Sequence, residues 1–150
     1  GSHPHVGQPI DFIKNDSTGQ LTYIAYSMGN FISNQRYETM KNYNTEDGLL
    51  TGVVIKKEPN KKAFIDAVFH KSTWVHRYKE NGKYKYAVLP VNETLKNPAK
   101  YEVNDDATLK RVKSSGERTN KTFSSPIRPN LKSFFNRYII DWDDVKYFQH

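Results

Sequence analysis

The sequence predicts an α+β fold that consists mostly of antiparallel β-sheet with a few short helices. Ten tyrosines and eight phenylalanines among 150 residues make aromatic burial the main source of a core, and aromatic residues favour strands. Asn81-Gly82, between two runs rich in such residues, is the strongest hairpin signal in the chain. Asn104-Asp105-Asp106 precedes a helical pattern and can cap a short helix. Strands joined by tight turns and followed by a helix indicate this class.

Two apolar segments begin the chain. Residues 10–13 end in Asn15-Asp16-Ser17-Thr18-Gly19, a cluster typical of a hairpin turn. Residues 21–31 are almost continuously apolar, which predicts a strand covered on both faces. This strand ends at Gly29-Asn30, and both residue types tolerate the backbone angles of a tight approach to an active site.

The middle of the chain predicts a loop and then three strands. Residues 33–47 are polar and predict a mobile loop with one helical turn. Residues 48–57, 62–78 and 83–91 then alternate as strands do, with Asn81-Gly82 joining the last two. We therefore expect an antiparallel meander over residues 48–91.

From residue 92 onward the pattern becomes helical and irregular, so residues 92–150 are expected to form an extension that packs on the domain of residues 1–91. The capped helix should run through Lys113, with Leu109 and Val112 facing inward, and end at Gly116. Residues 131–140 predict either a helix or a final strand. A basic run on the helix has two interpretations, a contact for a polyanion or a solvated face; its members are Lys110, Arg111, Lys113, Arg118 and Lys121.

The excess of basic over acidic residues indicates which classes of partner the protein could bind. The chain has 23 Lys and Arg against 16 Asp and Glu, a net charge of +7, which attracts nucleic acid, anionic membranes or anionic polymers. The only aromatic and basic patch suited to nucleic acid is Tyr84 and Tyr86 beside Lys83 and Lys85, so we expect no nucleic-acid partner. The absence of cysteine excludes disulfides and thiolate metal sites.

The candidate site is a histidine pair, His3-Pro4-His5. In an extended segment this spacing places both imidazoles on one side of the backbone, and neutral imidazoles bind divalent metals. The alternative is that Gly1-Ser2-His3 is the remnant of a cleaved affinity tag. Two further histidines, His70 and His76, fall on the predicted meander and are interpreted as ordinary, partly buried residues.

Three blocks of sequence resemble one family. Residues 1–10, GSHPHVGQPI, resemble the last metal motif of the CapA/PgsA family of poly-γ-glutamate capsule-synthesis proteins. Residues 26–35, YSMGNFISNQ, resemble that family's YSLGNF segment, and residues 73–75 with 86–91, TWV and YAVLPV, resemble a third block. The resemblance implies that His3 and His5 are metal ligands.

The resemblance also implies a role for two polar residues, and it implies that the complete domain includes an N-terminal half. Asn30 and Gln8 would lie at the rim of the metal site; the alternative, favoured for Gln8, is that their side chains only hold tight turns. The family is similar to calcineurin-like metallophosphatases, so the complete domain would be a layered α/β sandwich of which this chain is the C-terminal part. The cofactor would be divalent metal, Mn, Fe, Zn or Mg. The family's N-terminal half carries the Asp-x-His, Gly-Asp and Asn-His motifs, so no residue here is assigned a catalytic role and this chain alone should not be a phosphatase.

The function that the resemblance implies is synthesis or export of poly-γ-glutamate, or a similar anionic polymer, at the extracellular face of the cell membrane. The protein would be anchored through an N-terminal segment. Expected partners are the N-terminal half of the same protein, the membrane proteins of polymer synthesis and export, and the anionic polymer. The alternative is a non-catalytic module that binds or scaffolds a polyanion, in which the basic surface matters and the histidines do not.

Overall fold

The computed structural model describes residues 3–124 and 139–141. The strands are β1 Gly7–Lys14, β2 Leu21–Met28, β3 Asp47–Lys56, β4 Phe64–Glu80, β5 Lys83–Pro90 and β6 Ile139–Asp141. The helices are α1 Tyr37–Met40, α2 Val91–Lys96 and α3 Asp106–Phe123, with 3₁₀ turns at Tyr43–Glu46 and Pro98–Tyr101. All strand pairs are antiparallel except the parallel pairing of β6 with β4. The predicted class, α+β with mostly antiparallel sheet, is confirmed.

The first sheet is the hairpin of β1 and β2. Its turn forms where it was predicted, because the Asn15 side chain accepts hydrogen bonds from the backbone N–H groups of Ser17 and Thr18, both at 3.0 Å. The outer face of β2 is only partly covered, since Tyr26 is 39% and Met28 36% exposed. Within the described part of this chain, the predicted cover of both faces is thus incomplete at this end of the strand.

The second sheet is the predicted meander, with strands in the order β3, β4, β5 and with β6 added to β4. Asn81 and Gly82 both have left-handed φ angles, 49° and 76°, as a two-residue hairpin turn requires. The long strand β4 pairs with β3 up to Trp74 and with β5 from Thr73 onward. Beyond Trp74, therefore, β3 no longer covers the edge of β4.

Helix α3 covers the sheet and closes the core. It begins as predicted, with the Asp105 carboxylate accepting a 2.7 Å hydrogen bond from the Thr108 N–H, and Val112 and Leu109 face inward. It does not end at Gly116 but continues to Phe123. Gly116 serves packing instead, because a Cβ there would lie 2.9 Å from Val91 Cγ1.

The buried side chains form three clusters. The largest joins β4, β5, α2 and α3, and consists of Trp74, Leu89, Val91, Val103 and Val112. The second joins the first hairpin to β3 and α3 through Ile10, Leu49 and Phe123. The third pairs Phe12 with Val68. The hairpin that carries the histidine motif is thus fixed to the rest of the fold by apolar burial.

Of the segment predicted as a helix or strand over residues 131–140, the described part is Ile139 and Ile140, which belong to β6; the rest lies outside the described residues. Within the part of the chain that the structure describes, no helix is long and apolar enough to span a bilayer.

Acidification is expected to destabilise this core through His70. Its Nε2 lies 2.8 Å from the Tyr23 hydroxyl, and burial lowers the pKa of His70 from 6.5 to about 4. Because the folded state disfavours the protonated form, stability is full above pH 6.5 and is lost as the pH falls towards 4, by about 3 kcal/mol in all. Urea unfolding at several pH values measures this loss.

The variant His70→Gln should flatten that pH dependence between pH 6.5 and 4. Burial also lowers the pKa of His76, so His76→Gln should remove a separate part of the same slope. If His70→Gln left the pH dependence of the free energy of unfolding unchanged, that dependence would not come from His70.

Candidate functional site

The structure joins the two motifs of the candidate site through two hydrogen bonds between His5 and Asn30. His5 Nδ1 lies 2.9 Å from Asn30 Oδ1, across 25 residues of sequence. The Asn30 amide nitrogen donates to the backbone carbonyls of His5, at 3.1 Å, and Thr45, at 2.9 Å, which leaves Oδ1 as the acceptor. His5 Nδ1 therefore carries the proton, and the lone pair of its Nε2 is left for a ligand.

A close approach of two backbones positions Asn30. Gly29 follows β2 with φ +70° and forms an isolated antiparallel bridge with Gly48. A Cβ on Gly29 would lie 2.4 Å from the Asp47 carbonyl oxygen, and one on Gly48 would lie 2.3 Å from the Asn30 carbonyl oxygen. Only glycine at both positions lets the chain pass closely enough to bury the Asn30 amide.

The two histidines themselves face solvent. His3 and His5 are both exposed, and their ring centroids lie 6.0 Å apart in an edge-to-face arrangement. His5 has a left-handed φ of 68°, an uncommon conformation outside glycine that its carbonyl's bond to Asn30 helps to hold. Gln8 is half-buried on β1 opposite Ser27 and has no hydrogen bond to His5 or Asn30.

These residues fit one part of a metal site. A metal-ligating histidine usually donates its other ring N–H to an oxygen that fixes its orientation, which is what Asn30 does for His5. Among residues 3–124 and 139–141, no group of three or more His, Asp or Glu side chains is placed to hold a metal ion. Since catalytic sites usually have three or more protein ligands, the described residues would supply two of them and one positioning amide.

Next to this site, a fully buried carboxylate organises the segment between β2 and β3. Glu46 accepts hydrogen bonds from Arg111 Nη2 at 2.7 Å, Trp74 Nε1 at 3.0 Å and the Tyr37 N–H at 3.0 Å. Its neighbour Asp47 accepts a bidentate pair from Arg118 at 2.7 and 2.8 Å. Both carboxylates thus tie this segment to α3.

Arg36 anchors the start of the same segment. It is 2% exposed, and its Nη1 donates to the Val75 carbonyl at 2.9 Å, where β3 stops covering the edge of β4. The predicted helical turn is present as α1, but these anchors mean that the prediction of a mobile loop over residues 33–47 is wrong. Sequence reasoning missed Arg36 and Glu46, for which the only signal was charge within an otherwise polar stretch.

The basic run on α3 was interpreted either as a contact for a polyanion or as a solvated face, and neither interpretation describes all five residues. Arg111 and Arg118 belong to the internal ion pairs with Glu46 and Asp47. Lys110, Lys113 and Lys121 are exposed. Burial and pairing therefore divide a run that is uniform in the sequence.

The two histidines of the predicted meander are partly buried residues of the sheet, as predicted. His70 contacts the Tyr23 hydroxyl. His76 stacks between Trp74 and Tyr78, with ring centroids 5.4 and 5.3 Å away.

The fold and the site together define an α+β unit that presents an exposed histidine pair positioned by a buried amide. Residues 1–35 match the family model described as "Bacterial capsule synthesis protein PGA_cap". This match contains both motifs that the His5–Asn30 hydrogen bond joins, and it supports a capsule-synthesis family of the CapA type over this short stretch of the chain. No curated protein and no solved structure matches the chain.

Proposed function

We propose that this chain is part of a cell-surface protein that acts in the synthesis or export of poly-γ-glutamate, or a similar anionic polymer, on a metallophosphatase-like scaffold. The observation that supports this most is that the hydrogen bond between His5 and Asn30 unites the two motifs of the matched stretch. A residue pair 25 positions apart in sequence thereby forms one site. The net charge of +7 suits a polyanionic product.

In this proposal His3 and His5 bind a divalent metal, Mn, Fe, Zn or Mg, through their exposed imidazoles. Such a metal acts as a Lewis acid on a phosphoryl or acyl oxygen when it is bound. Asn30 is a positioning residue, since it holds His5 in the tautomer whose Nε2 can coordinate. The other ligands come from the N-terminal half of the same protein, the first proposed partner.

The remaining partners follow from the proposed role. They are the membrane proteins that synthesise and export the polymer, and the polymer itself, at the extracellular face of the membrane. An N-terminal segment would provide the anchor.

Metal binding by the histidine pair is the direct test. In a titration with Mn²⁺ followed by NMR, the imidazole resonances of His3 and His5 should broaden before those of His70 and His76, because only the first two are exposed. Either His3→Ala or His5→Ala should abolish the selective effect. Equal broadening of His3, His5, His70 and His76 would contradict the site.

The role of Asn30 has a readout of its own. Asn30→Ala should weaken Mn²⁺ binding by about 10- to 100-fold, as loss of an orienting partner does, and should shift the His5 ring ¹⁵N resonances towards a mixture of tautomers. Circular dichroism checks that the variant is folded. Unchanged tautomer signals in a folded variant would show that Asn30 does not position His5.

The polyanion-binding module remains the second candidate, favoured by the excess of basic residues over acidic ones. Two measurements separate it from the metal-dependent enzyme. Hydrolysis of a generic phosphodiester, measured after adding the N-terminal half and Mn²⁺, should be lost in His3→Ala and His5→Ala if the site is catalytic. Polymer binding that survives both changes and weakens with salt, with no turnover, would identify the module.

A further inference from the structure

A cavity of about 520 Å³ lies between α3 and the 3₁₀ turn at Tyr43–Glu46. One wall is one side of α3, because Ala107, Lys110, Ser114 and Arg118 recur at intervals of three or four residues. Arg111, next to Lys110, lines the same wall. The opposite wall includes Tyr43. This cavity is separate from the histidine pair, none of whose residues line it.

The charges around the cavity do not cancel. Three carboxylates, Glu38, Glu46 and Asp47, are matched by the guanidinium groups of Arg36, Arg111 and Arg118. That leaves the ammonium group of Lys110, which lines the cavity and has no acidic partner among the described residues. The surplus is therefore one positive charge.

A second feature of the wall is an unused hydrogen-bond donor. Arg111 Nε is buried and has no partner in the described part of the chain, although both terminal nitrogens of the same guanidinium are bonded to Glu38 and Glu46. A buried donor without an acceptor is costly and uncommon in folded proteins. The Ser114 hydroxyl and the Lys110 ammonium provide further donors on the same face of α3.

We propose that this cavity binds one carboxylate of an acidic polymer chain, with Lys110 as its main charged contact. A single surplus cation neutralises a monoanionic carboxylate, whereas a phosphate dianion would leave one uncompensated negative charge in the cavity. Glu46, which also lines the cavity, does not prevent binding, because Arg111 neutralises it. That the polymer is γ-linked glutamate rests on the proposed function; that the site takes a carboxylate does not.

The aromatic wall does not favour a nucleic-acid base as the ligand. The guanidinium groups of Arg111 and Arg118 lie 6.0 and 5.6 Å from the Tyr43 ring centre, and the Tyr37 ring stacks on Tyr43 at 4.0 Å. Because Tyr37 stacks on one face of the Tyr43 ring, a base would have at most the other face on which to stack.

The test is a titration of the chain with a γ-linked glutamate oligomer, at constant ionic strength, by calorimetry. Lys110→Met should lower the affinity about 10-fold, because it removes a charge-assisted contact. Lys113→Met is the matched control: it removes the same charge from the same helix, and Lys113 is exposed as Lys110 is, but it does not line the cavity. The control should lower the affinity less than about twofold, since it alters only screened surface charge.

Three further results would decide between the proposed carboxylate site and its alternatives. Equal losses in the two variants would overturn the proposal and indicate diffuse attraction by the basic surface. Tighter binding of inorganic phosphate than of the oligomer, also dependent on Lys110, would overturn the choice of carboxylate. Equal binding of an α-linked glutamate oligomer through Lys110 would support the carboxylate site while counting against the γ-linked polymer of the proposed function.

Discussion

Replacing Glu46 with glutamine is expected to lower the free energy of unfolding by about 3–5 kcal/mol, because it removes one partner of a buried ion pair. Glu46 is fully buried and is the shared acceptor of Arg111, Trp74 and the Tyr37 N–H. Glutamine keeps the shape but brings an amide N–H₂ where a second acceptor is needed. It also leaves Arg36 and Arg111 with the half-exposed Glu38 as their one remaining carboxylate among the described residues. Urea unfolding measures the change.

Glu38→Gln is the matched control for this variant. Glu38 also accepts a hydrogen bond from Arg111, at 3.0 Å, but its side chain is 45% exposed. Water screens that pair, so the loss should be less than about 1 kcal/mol. A loss as large as that of Glu46→Gln would show that burial is not what makes Glu46 important.

The second large effect is expected at Gly29. Gly29→Ala places a Cβ where the Asp47 carbonyl oxygen lies 2.4 Å away, and does so at a left-handed φ of 70°. Strain of the left-handed conformation costs about 1–2 kcal/mol, and displacing the packed backbone costs about 1–3 kcal/mol more. The loss of stability should therefore be about 3 kcal/mol.

Gly19→Ala separates these two contributions. Gly19 has almost the same φ, 69°, but nothing lies within 4 Å of its added Cβ. Its replacement should cost only about 1–2 kcal/mol from conformational strain. Gly29→Ala should also displace Asn30 and change the tautomer signature of His5, whereas Gly19→Ala should leave it unaltered. Equal costs, with an unchanged His5, would contradict the argument that backbone contact positions the site.

Local chemistry explains which parts of the fold could be predicted. The turns at Asn15 and at Asn81-Gly82, and the cap at Asp105, form where the sequence places them, because each depends on residues within a few positions of one another. The end of α3 was predicted wrongly for the opposite reason. Gly116 resembles a helix terminator locally, but packing against Val91 continues the helix.

The candidate site was predicted only in part. His3, His5 and Asn30 were recognised from the motifs in which they occur, but their sequence does not show that the Asn30 amide binds His5 or that Gln8 remains apart from both. These contacts depend on the bridge between Gly29, just after β2, and Gly48 in β3, which brings the two backbones close together.

By itself, the sequence determined most of the strands, the hairpin turns and the helix cap, since each is set by periodicity and by the conformational preferences of neighbouring residues. The tertiary structure alone decided which charges are internal. Arg111 pairs with Glu46, which lies 65 residues earlier, whereas the adjacent Lys110 has no described partner. No local pattern distinguishes those two basic residues, because burial and pairing arise only when distant segments pack together.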